Sequence, residues 1–396
     1  MTLPAGLPLI LFGAFDRHNF GDLLFPHLMS ALLPGHSCEV AGLLARDLRR
    51  FGGHRVRALS AMHHSRPAHL IHVGGEVLTC TAYQAAVMLL EQNAAAAAIA
   101  RYDDDPDAAG AWAAAQLGCT RSIPYVVGHG LVAPPGRLVF NAVGGVEWAT
   151  RTAAQRAEVK AALGRADWLS VRDHVTQAAL QAEGIRAPLC PDPAVMVRAC
   201  FGETILRHQQ QGEVLSVRQD FPQGYLACQF SADFADDVSL AAVARGLSRV
   251  AADTGLGLVF FRAGAAPWHD DAGLYEKVLR GLPPGTARIF DSLHLWELCA
   301  LIAASQGAIG SSLHGRLVAL AYGLPRVSLM SPQQGPGPDK LTAFAETWEP
   351  QALPRSVAVA EIEAAALRAL ALPASLLQAQ AARMRDACRD SLAQWA

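Results

Sequence analysis

The feature that most constrains the fold is a repeated alternation between short apolar runs and longer helical patterns. In the first half of the chain, apolar runs at Leu7–Phe12, Leu70–Val73, Pro124–Val127 and Trp168–Val171 each stop at a glycine or at a charged pair. Amphipathic segments lie between them, one of which begins at Asp22. Short buried strands that alternate with helices are typical of a parallel sheet covered on both faces. We therefore predict an α/β fold.

A polar stretch at residues 203–222 interrupts this alternation, which then begins again. The chain has 396 residues and is too long for one ordinary hydrophobic core. The sequence therefore predicts two Rossmann-like domains, residues 1–205 and residues 206–396, the second with a helical C-terminal tail. We expect a ligand-binding cleft where the carboxyl ends of the two sheets face each other. Strands of the second domain are predicted at Tyr225–Gln229, Leu256–Phe261, Ala287–Phe290, Ala308–Ile309 and Val327–Leu329.

Composition argues against several classes of function. The chain is 52% hydrophobic and 17% charged with a formal net charge of -2, so it lacks the basic stripe of a nucleic-acid-binding protein. Its eight cysteines form no Cys-x-x-Cys pair, which is typical of reduced thiols.

His69 and His72 point to opposite faces of a predicted strand, so we predict no required metal. No apolar run approaches the roughly 18 residues that span a bilayer, and the opening segment lacks a signal-peptide pattern. These features predict a cytoplasmic protein.

One helix is predicted to begin with an unusual concentration of polar side chains. Gly310 ends a strand, and Ser311, Ser312, His314 and Arg316 follow in the first turn of an otherwise apolar helix. A serine is a good helix N-cap, which explains the hydroxyl groups. Capping does not explain the imidazole and the guanidinium, which lie where free N–H groups and the helix dipole favour an anion. We interpret this turn as an anion-binding site, with an ordinary solvated helix end as the alternative.

Six stretches, in the expected order between about residues 7 and 330, resemble the polysaccharide pyruvyl transferase family. Each stretch alone is a weak signal, whereas six in order are fairly specific. The stretches are His18-Asn19-Phe20-Gly21-Asp22, His72-Val73-Gly74-Gly75-Glu76, Val127-Gly128-His129-Gly130, Leu169-Ser170-Val171-Arg172-Asp173, Pro191-Asp192-Pro193 and Ser311-Ser312-Leu313-His314-Gly315.

The resemblance implies two facing α/β domains of the glycosyltransferase-B type, with the acceptor on the N-terminal side and the donor on the C-terminal side. It also implies phosphoenolpyruvate as co-substrate, no cofactor, and a product in which pyruvate forms a cyclic ketal across two sugar hydroxyls. The partner would be a sugar or a lipid-linked oligosaccharide acceptor in the biosynthesis of a cell-surface polysaccharide such as an exopolysaccharide. A lipid-linked acceptor would allow peripheral association with a membrane.

The same resemblance assigns roles to individual residues. His314 is the expected acid or anion ligand, and Asp22 is the expected base for the sugar hydroxyl. Donor contacts are expected from Ser311, Ser312, Leu313, Gly315 and Arg172. Two further donor contacts are expected on other grounds, from Arg316 in the polar turn and from Arg262, which ends a predicted strand. Contacts to the acceptor or the cleft are expected from Asn19, Gly21, Gly74, Gly75, Glu76, His129 and Asp192.

Several of these residues also have a simpler structural interpretation. Asp22 lies near the start of a predicted helix, where its charge suits the helix dipole. Gly74 and Gly75 are compatible with a tight turn alone. Arg172 could form an internal ion pair, and Asp192, between two prolines, could be a structural turn residue.

One departure from the family pattern affects the predicted donor site. Family members commonly carry an arginine immediately before the Leu-His pair, where this chain has Ser312. Arg316 lies one helical turn further on and could reach the same space. We therefore hypothesise that Arg316 replaces the missing arginine.

The departure also leaves two other functions open. The first is a nucleotide-sugar glycosyltransferase, for which Trp268, Asp291 and Glu297 could supply stacking and ribose contacts, although no motif connects them. The second is a non-catalytic relative, and the loss of the arginine at Ser312 is the best support for it.

Overall fold

The computed structural model describes residues 3, 6–62, 67–131, 134–333, 335, 337 and 339–396, and the chain forms two compact units. The first unit comprises Met1–Pro193 together with Ala387–Ala396, and the second comprises Ala194–Asp386. The predicted boundary at residue 205 therefore comes too late. The polar stretch that suggested it forms parts of two helices of the second unit, in which Ile205 and Val214 are buried.

The first unit is built on a seven-stranded sheet with the strand order β3-β4-β2-β1-β5-β6-β7. Every neighbouring pair is parallel except β3 and β4. Because β1, β5, β6 and β7 are adjacent and parallel, the loops at their carboxyl ends lie along one edge. The strands are β1 (Leu9–Phe12), β2 (Cys38–Gly42), β3 (Arg46–Asp47), β4 (Arg55–Ala58), β5 (His69–Val73), β6 (Leu138–Val143) and β7 (Trp168–Val171).

Helices pack on this sheet and begin where the sequence supplies caps. Asn19 is the N-cap of α1, and its side chain accepts a hydrogen bond from the N–H of Gly21. Asp173 caps α6 in the same way through the N–H of Thr176. The helices of the first unit are α1 (Phe20–Leu32), α2 (Ala82–Met88), α3 (Gln92–Tyr102), α4 (Pro106–Leu117), α5 (Ala153–Leu163) and α6 (His174–Ala182).

The segment Pro124–Val127 is not a strand, contrary to the sequence prediction. It is a buried turn, and β6 pairs with β5 in its place. The Tyr125 hydroxyl donates to Asp16 over 3.2 Å, and the N–H of Val127 donates to Nε2 of His72 over 3.1 Å. The N–H of Val126 donates to the carbonyl of Ile123 over 3.1 Å, so these backbone donors find partners outside any sheet ladder.

The second unit is built on a six-stranded, fully parallel sheet with the order β10-β9-β8-β11-β12-β13. The predicted strands Tyr225–Gln229 and Ala287–Phe290 are confirmed with these bounds. The carboxyl ends of β9, β8 and β11 are adjacent. The strands are β8 (Tyr225–Gln229), β9 (Gly257–Phe261), β10 (Ala287–Phe290), β11 (Gly307–Gly310), β12 (Arg326–Leu329) and β13 (Ser356–Val357).

Eight helices assigned to the second unit and one that continues into the first complete the described part of the fold. The helix α15 begins in the second unit, and its end belongs to the first, where Cys388 and Ser391 lower the pKa of the Cys190 thiol. Among the described residues, no helix is both long enough and apolar enough to cross a membrane. The helices are α7 (Val197–Gln209), α8 (Gly212–Asp220), α9 (Asp237–Thr254), α10 (Ala272–Arg280), α11 (Leu295–Ala303), α12 (Leu313–Ala321), α13 (Lys340–Trp348), α14 (Ile362–Leu370) and α15 (Ala374–Leu392).

Candidate functional site

The polar turn after β11 is the start of α12, as predicted. Ser312 is the N-cap, and its hydroxyl accepts a hydrogen bond from the N–H of Gly315 over 3.1 Å. The hydroxyl of Ser311 accepts a hydrogen bond from the N–H of Ser231 over 3.0 Å. Both hydroxyls therefore have structural partners, and they fix the direction of the helix N-terminus.

His314 lies in the first turn of α12 and is only 7% exposed. Leu313 is buried beside it, and Gly315 lies close to the ring of Phe261 from β9. A buried imidazole in the first helical turn is close to the positive end of the helix dipole. Its position therefore suits an interaction with an anion.

Arg316 does not take the place of the arginine missing at Ser312, and this corrects the sequence hypothesis. Its Nε atom donates to Oε1 of Glu349 over 3.1 Å, and its Nη2 atom donates to Oε2 of the same carboxylate. Its Nη1 atom donates to the hydroxyl of Ser328 over 3.0 Å. The guanidinium is therefore held by buried partners inside the second unit.

Glu349 joins Arg316 to a second buried arginine. The Nε atom of Arg326 donates to Oε1 of Glu349 over 2.9 Å, and all three side chains are at most 2% exposed. Burial raises the pKa of Glu349, but the two arginines more than offset burial and hold it below its ordinary value. Two positive charges and one negative charge leave a net positive charge beneath α12, which adds to the attraction of its N-terminus for an anion.

Arg262 is the arginine of the second unit whose position still fits the donor prediction. It follows β9 directly, at the sheet edge where β8 and β11 also end. Its Nε atom is buried and has no hydrogen-bond partner within the part of the chain that the structure describes. An unpartnered buried donor has a considerable energetic cost, so this atom is suited to receive a ligand.

Asp270 connects the neighbourhood of Arg262 to the start of α12. Its carboxylate accepts hydrogen bonds from Nε2 of Gln229 over 2.7 Å and from the N–H of Ala263 over 2.5 Å. Oε1 of Gln229 in turn accepts from the N–H of Ser311 over 3.1 Å. Burial raises the pKa of Asp270 to about 7, although its hydrogen-bond donors act in the opposite direction.

In the first unit, the Asn-x-Gly-Asp motif surrounds the start of α1. Asn19 caps the helix, and Asp22 in its first turn is 6% exposed. Asp22 lies 3.7 Å from Nη2 of Arg17, measured to its Oδ2 atom, and this oxygen is buried without a hydrogen-bond partner among the described residues. The carboxylate is thus an ionic neighbour of Arg17 that keeps an acceptor position for another group.

The glycine pair after β5 brings the chain close to α1. Gly74 has φ +56°, and a Cβ atom there would lie 2.5 Å from the ring of Phe25. Gly75 has φ +75°, and a Cβ atom there would lie 3.8 Å from Oδ1 of Asp22. Both positions require glycine for conformation, and the first also requires it for space. The predicted residues Gly21, Asp22, Gly74 and Gly75 are therefore brought together.

Three further predicted residues form one ion-pair cluster at the carboxyl ends of β5 and β7. Nη2 of Arg172 donates to Oε2 of Glu76 over 2.6 Å, and its Nη1 donates to Oδ2 of Asp192 over 3.2 Å. Asp192 is fully buried and so does not line an open surface. Gly144 after β6 allows the cluster to form, since a Cβ atom there would lie 2.5 Å from Oε2 of Glu76 and 2.7 Å from Nε of Arg172. A direct contact between Arg172 and the donor stays a prediction.

His129 does not belong to either group, which corrects its prediction as a cleft residue. Its Nε2 atom lies 3.1 Å from Oδ2 of Asp167, and Arg137 donates to the same carboxylate over 2.8 Å. Asp167 and Arg137 immediately precede β7 and β6. Because these strands are parallel, His129 lies at the amino ends of the strands, the edge opposite to the other motifs.

Sequence reasoning missed Arg17, Gly144 and Glu349. Arg17 lies two residues before Asn19, and its Nε and Nη1 atoms are buried without hydrogen-bond partners among the described residues. Its position after β1 was a usable signal, because side chains at the carboxyl ends of parallel strands commonly contact ligands. Gly144 and Glu349 carried no local signal, since their importance depends on residues distant in the sequence.

The family model described as polysaccharide pyruvyl transferase matches residues 19–331 of the chain. This range includes the start of α1, the glycine pair, the Arg172 cluster and the first turn of α12. No curated protein sequence matches the chain.

Solved structures of other enzymes share the fold. The UDP-GlcNAc 2-epimerase of Methanocaldococcus jannaschii is 10% identical, with 98% of this chain and 99% of that chain covered and a TM-score of 0.54. An α,α-trehalose-phosphate synthase (UDP-forming) from Burkholderia vietnamiensis is 13% identical, with 100% of this chain and 98% of that chain covered and a TM-score of 0.50. At this identity the likeness shows the fold alone, which is that of two Rossmann-like units of the glycosyltransferase-B type.

Proposed function

Because the chain belongs to the polysaccharide pyruvyl transferase family, we propose that it transfers a pyruvyl group from phosphoenolpyruvate to two hydroxyls of a sugar. The product is a cyclic ketal, formed in the cytoplasm during the biosynthesis of a cell-surface polysaccharide. The observation that carries this proposal is the first turn of α12, where the buried His314 follows the N-cap Ser312.

The chemistry requires two proton movements. Two sugar oxygens become bonded to the central carbon of the donor while its bond to the phosphate oxygen breaks. One hydroxyl proton is balanced by the proton that converts the donor methylene into a methyl group, and the other leaves with the phosphate. A general acid and a general base are therefore needed, and these are the proposed roles of His314 and Asp22.

The donor carries a phosphate and a carboxylate, so its binding surface must be positive. The second unit offers the N-terminus of α12, the net positive group of Arg316, Glu349 and Arg326 beneath it, and the unpartnered Nε of Arg262. We assign the donor to this edge of the second sheet. Arg262 then supplies a positive charge in place of the family arginine whose position Ser312 occupies.

The acceptor is a sugar or a lipid-linked oligosaccharide, and we assign its binding to the first unit. Asp22 has a buried carboxylate oxygen without a hydrogen-bond partner among the described residues, as expected for a group that accepts from a sugar hydroxyl. Arg17 lies 3.7 Å from the same oxygen and is its ionic neighbour. A charged carboxylate can take the proton that the hydroxyl loses.

Ligand-dependent thermal stability tests the donor assignment. Phosphoenolpyruvate should raise the melting temperature of the full chain, because binding to the folded state at 100 times Kd adds about 2.7 kcal/mol. His314→Ala and Arg262→Ala should lose most of this rise. Arg245→Ala, which changes an exposed arginine on α9 of the same unit, is the matched control and should keep it. The proposal is wrong if phosphoenolpyruvate gives no rise, or if both variants respond like the wild type.

A nucleotide-sugar enzyme is the second candidate, because the epimerase neighbour has been solved with UDP-GlcNAc and UDP. The same thermal measurement with UDP distinguishes the two candidates. A rise with UDP and none with phosphoenolpyruvate would favour the nucleotide-sugar function. No rise with either ligand would favour a non-catalytic relative that kept the fold.

A further inference from the structure

A group of three possible metal ligands lies in the second unit, where α7 packs against α11. His208 is in the last turn of α7, His294 is the N-cap of α11, and Glu297 follows in the first turn of α11. Sequence spacing gave no sign of this group, because His208 and His294 are far apart in the chain. None of the three residues belongs to the family motifs described above.

The geometry of the group is close to that of a metal site. One ligand atom from each residue lies within 4.8 Å of the other two, and the two imidazole rings are stacked with centroids 5.5 Å apart. A Zn²⁺ ion with bonds of about 2.0–2.2 Å holds tetrahedral ligand atoms roughly 3.3 Å apart. The three ligand atoms must therefore approach one another by up to about 1.5 Å for a Zn²⁺ ion to bind.

The ring nitrogens of the two histidines supply the second, independent observation. Nδ1 of His208 and Nδ1 of His294 are both buried and have no hydrogen-bond partner within the described part of the chain. Buried polar atoms are nearly always satisfied, so each of these two ring nitrogens is suited to a partner that the described chain does not supply. A cation bound between the two imidazoles and the Glu297 carboxylate would be such a partner.

The surroundings permit a cation to enter and remain. The neighbouring Arg207 donates from Nη2 to the hydroxyl of Thr204 in an exposed contact, so that guanidinium nitrogen has another partner. A surface cavity of about 390 Å³, lined by Arg207, His208, Gln210 and Gln211, gives access from solvent.

We propose that His208, His294 and Glu297 bind one divalent first-row transition metal ion, with Zn²⁺ the best fit, and leave a further coordination position for water from the adjoining cavity. Two imidazoles and one carboxylate are the ligands of such ions, whereas Mg²⁺ and Ca²⁺ prefer oxygen ligands only. The site ties the end of α7 to the start of α11 and is separate from the proposed transfer chemistry.

Metal titration of the full chain tests the proposal. After treatment with EDTA and dialysis, calorimetry should show one equivalent of Zn²⁺ bound, and Co²⁺ should give visible absorption bands of a low-coordinate site. Zn²⁺ should also raise the melting temperature. His208→Gln, His294→Gln and Glu297→Gln should each weaken Zn²⁺ binding by at least about tenfold.

Controls separate this site from adventitious binding. His174→Gln removes an exposed histidine of α6 and should leave the affinity for Zn²⁺ unchanged. Mg²⁺ at the same concentration should produce no binding heat. Should either histidine variant disturb folding, the Glu297→Gln variant still tests the site, because it keeps both imidazole rings. Absence of stoichiometric Zn²⁺ binding, or equal affinity in the three ligand variants and the wild type, would overturn the proposal.

Discussion

Arg316 and Glu349 form a two-point ion pair that is almost completely excluded from solvent, although the sequence places Arg316 in a polar turn. Arg326 shares the same carboxylate. This arrangement fixes the direction of the Arg316 side chain and concentrates positive charge behind the start of α12. A residue that the sequence suggested as a ligand contact is therefore part of the support of the site.

Removal of the shared negative charge should strongly destabilise the second unit. In Glu349→Gln, two buried guanidinium groups would face a neutral amide, and breaking a buried pair in this way costs about 3–5 kcal/mol. Urea denaturation should show this loss. The matched control is Glu346→Gln, whose pair with Arg355 is exposed, so its change should stay below about 1 kcal/mol. Similar losses in the two variants would contradict the role assigned to Glu349.

Space at Gly144 should be essential for the Arg172 cluster. A methyl group at this position would overlap Glu76 and Arg172, so Gly144→Ala should break their hydrogen bond and destabilise the protein by about 1–3 kcal/mol. Gly110→Ala is the control, because Gly110 lies in α4 and a Cβ atom there would meet no other heavy atom within 4 Å. That change should be neutral or stabilise the helix by about 0.5–1 kcal/mol. The reverse order of effects would show that the cluster tolerates the added methyl group.

Asp270 should make stability depend on pH. Burial raises its folded-state pKa from the ordinary value of 3.8 to about 7. Between about pH 4 and about pH 7, the folded protein therefore keeps a proton on Asp270 that the unfolded chain has lost. The stability that this proton contributes is lost as pH rises through that interval. The free energy of unfolding can fall by at most about 1.4 kcal/mol per pH unit through this one group.

Asp270→Asn cannot titrate, so its unfolding free energy relative to the wild type should increase as pH rises across this interval. Chemical denaturation at several pH values measures the difference. Asp271→Asn removes a carboxylate from the same loop, where it caps α10, and is the matched control. A difference between wild type and Asp270→Asn that is constant from about pH 4 to about pH 7 would refute the assignment.

Local sequence was sufficient wherever a structure depends on neighbouring residues. Ser312 caps α12 through a hydrogen bond within its own helix, so the neighbouring residues were enough to predict it. The strand Tyr225–Gln229 is bounded by turns, and local sequence predicted it too. The failures involve distant partners. Arg316 is held by Glu349, which is 33 residues away, and the edge on which His129 lies is decided by its pairing with Asp167. Periodicity carries no information about either pairing.

The division of the chain between the two units affects the order in which they can form. Residues Ala387–Ala396 belong to the first unit, and Trp395 among them is completely buried. During synthesis, the strands of the first unit emerge from the ribosome long before these last residues. The first unit therefore lacks part of its final packing until the whole second unit has been synthesised. The two units thus depart from the usual rule that N-terminal domains finish folding first.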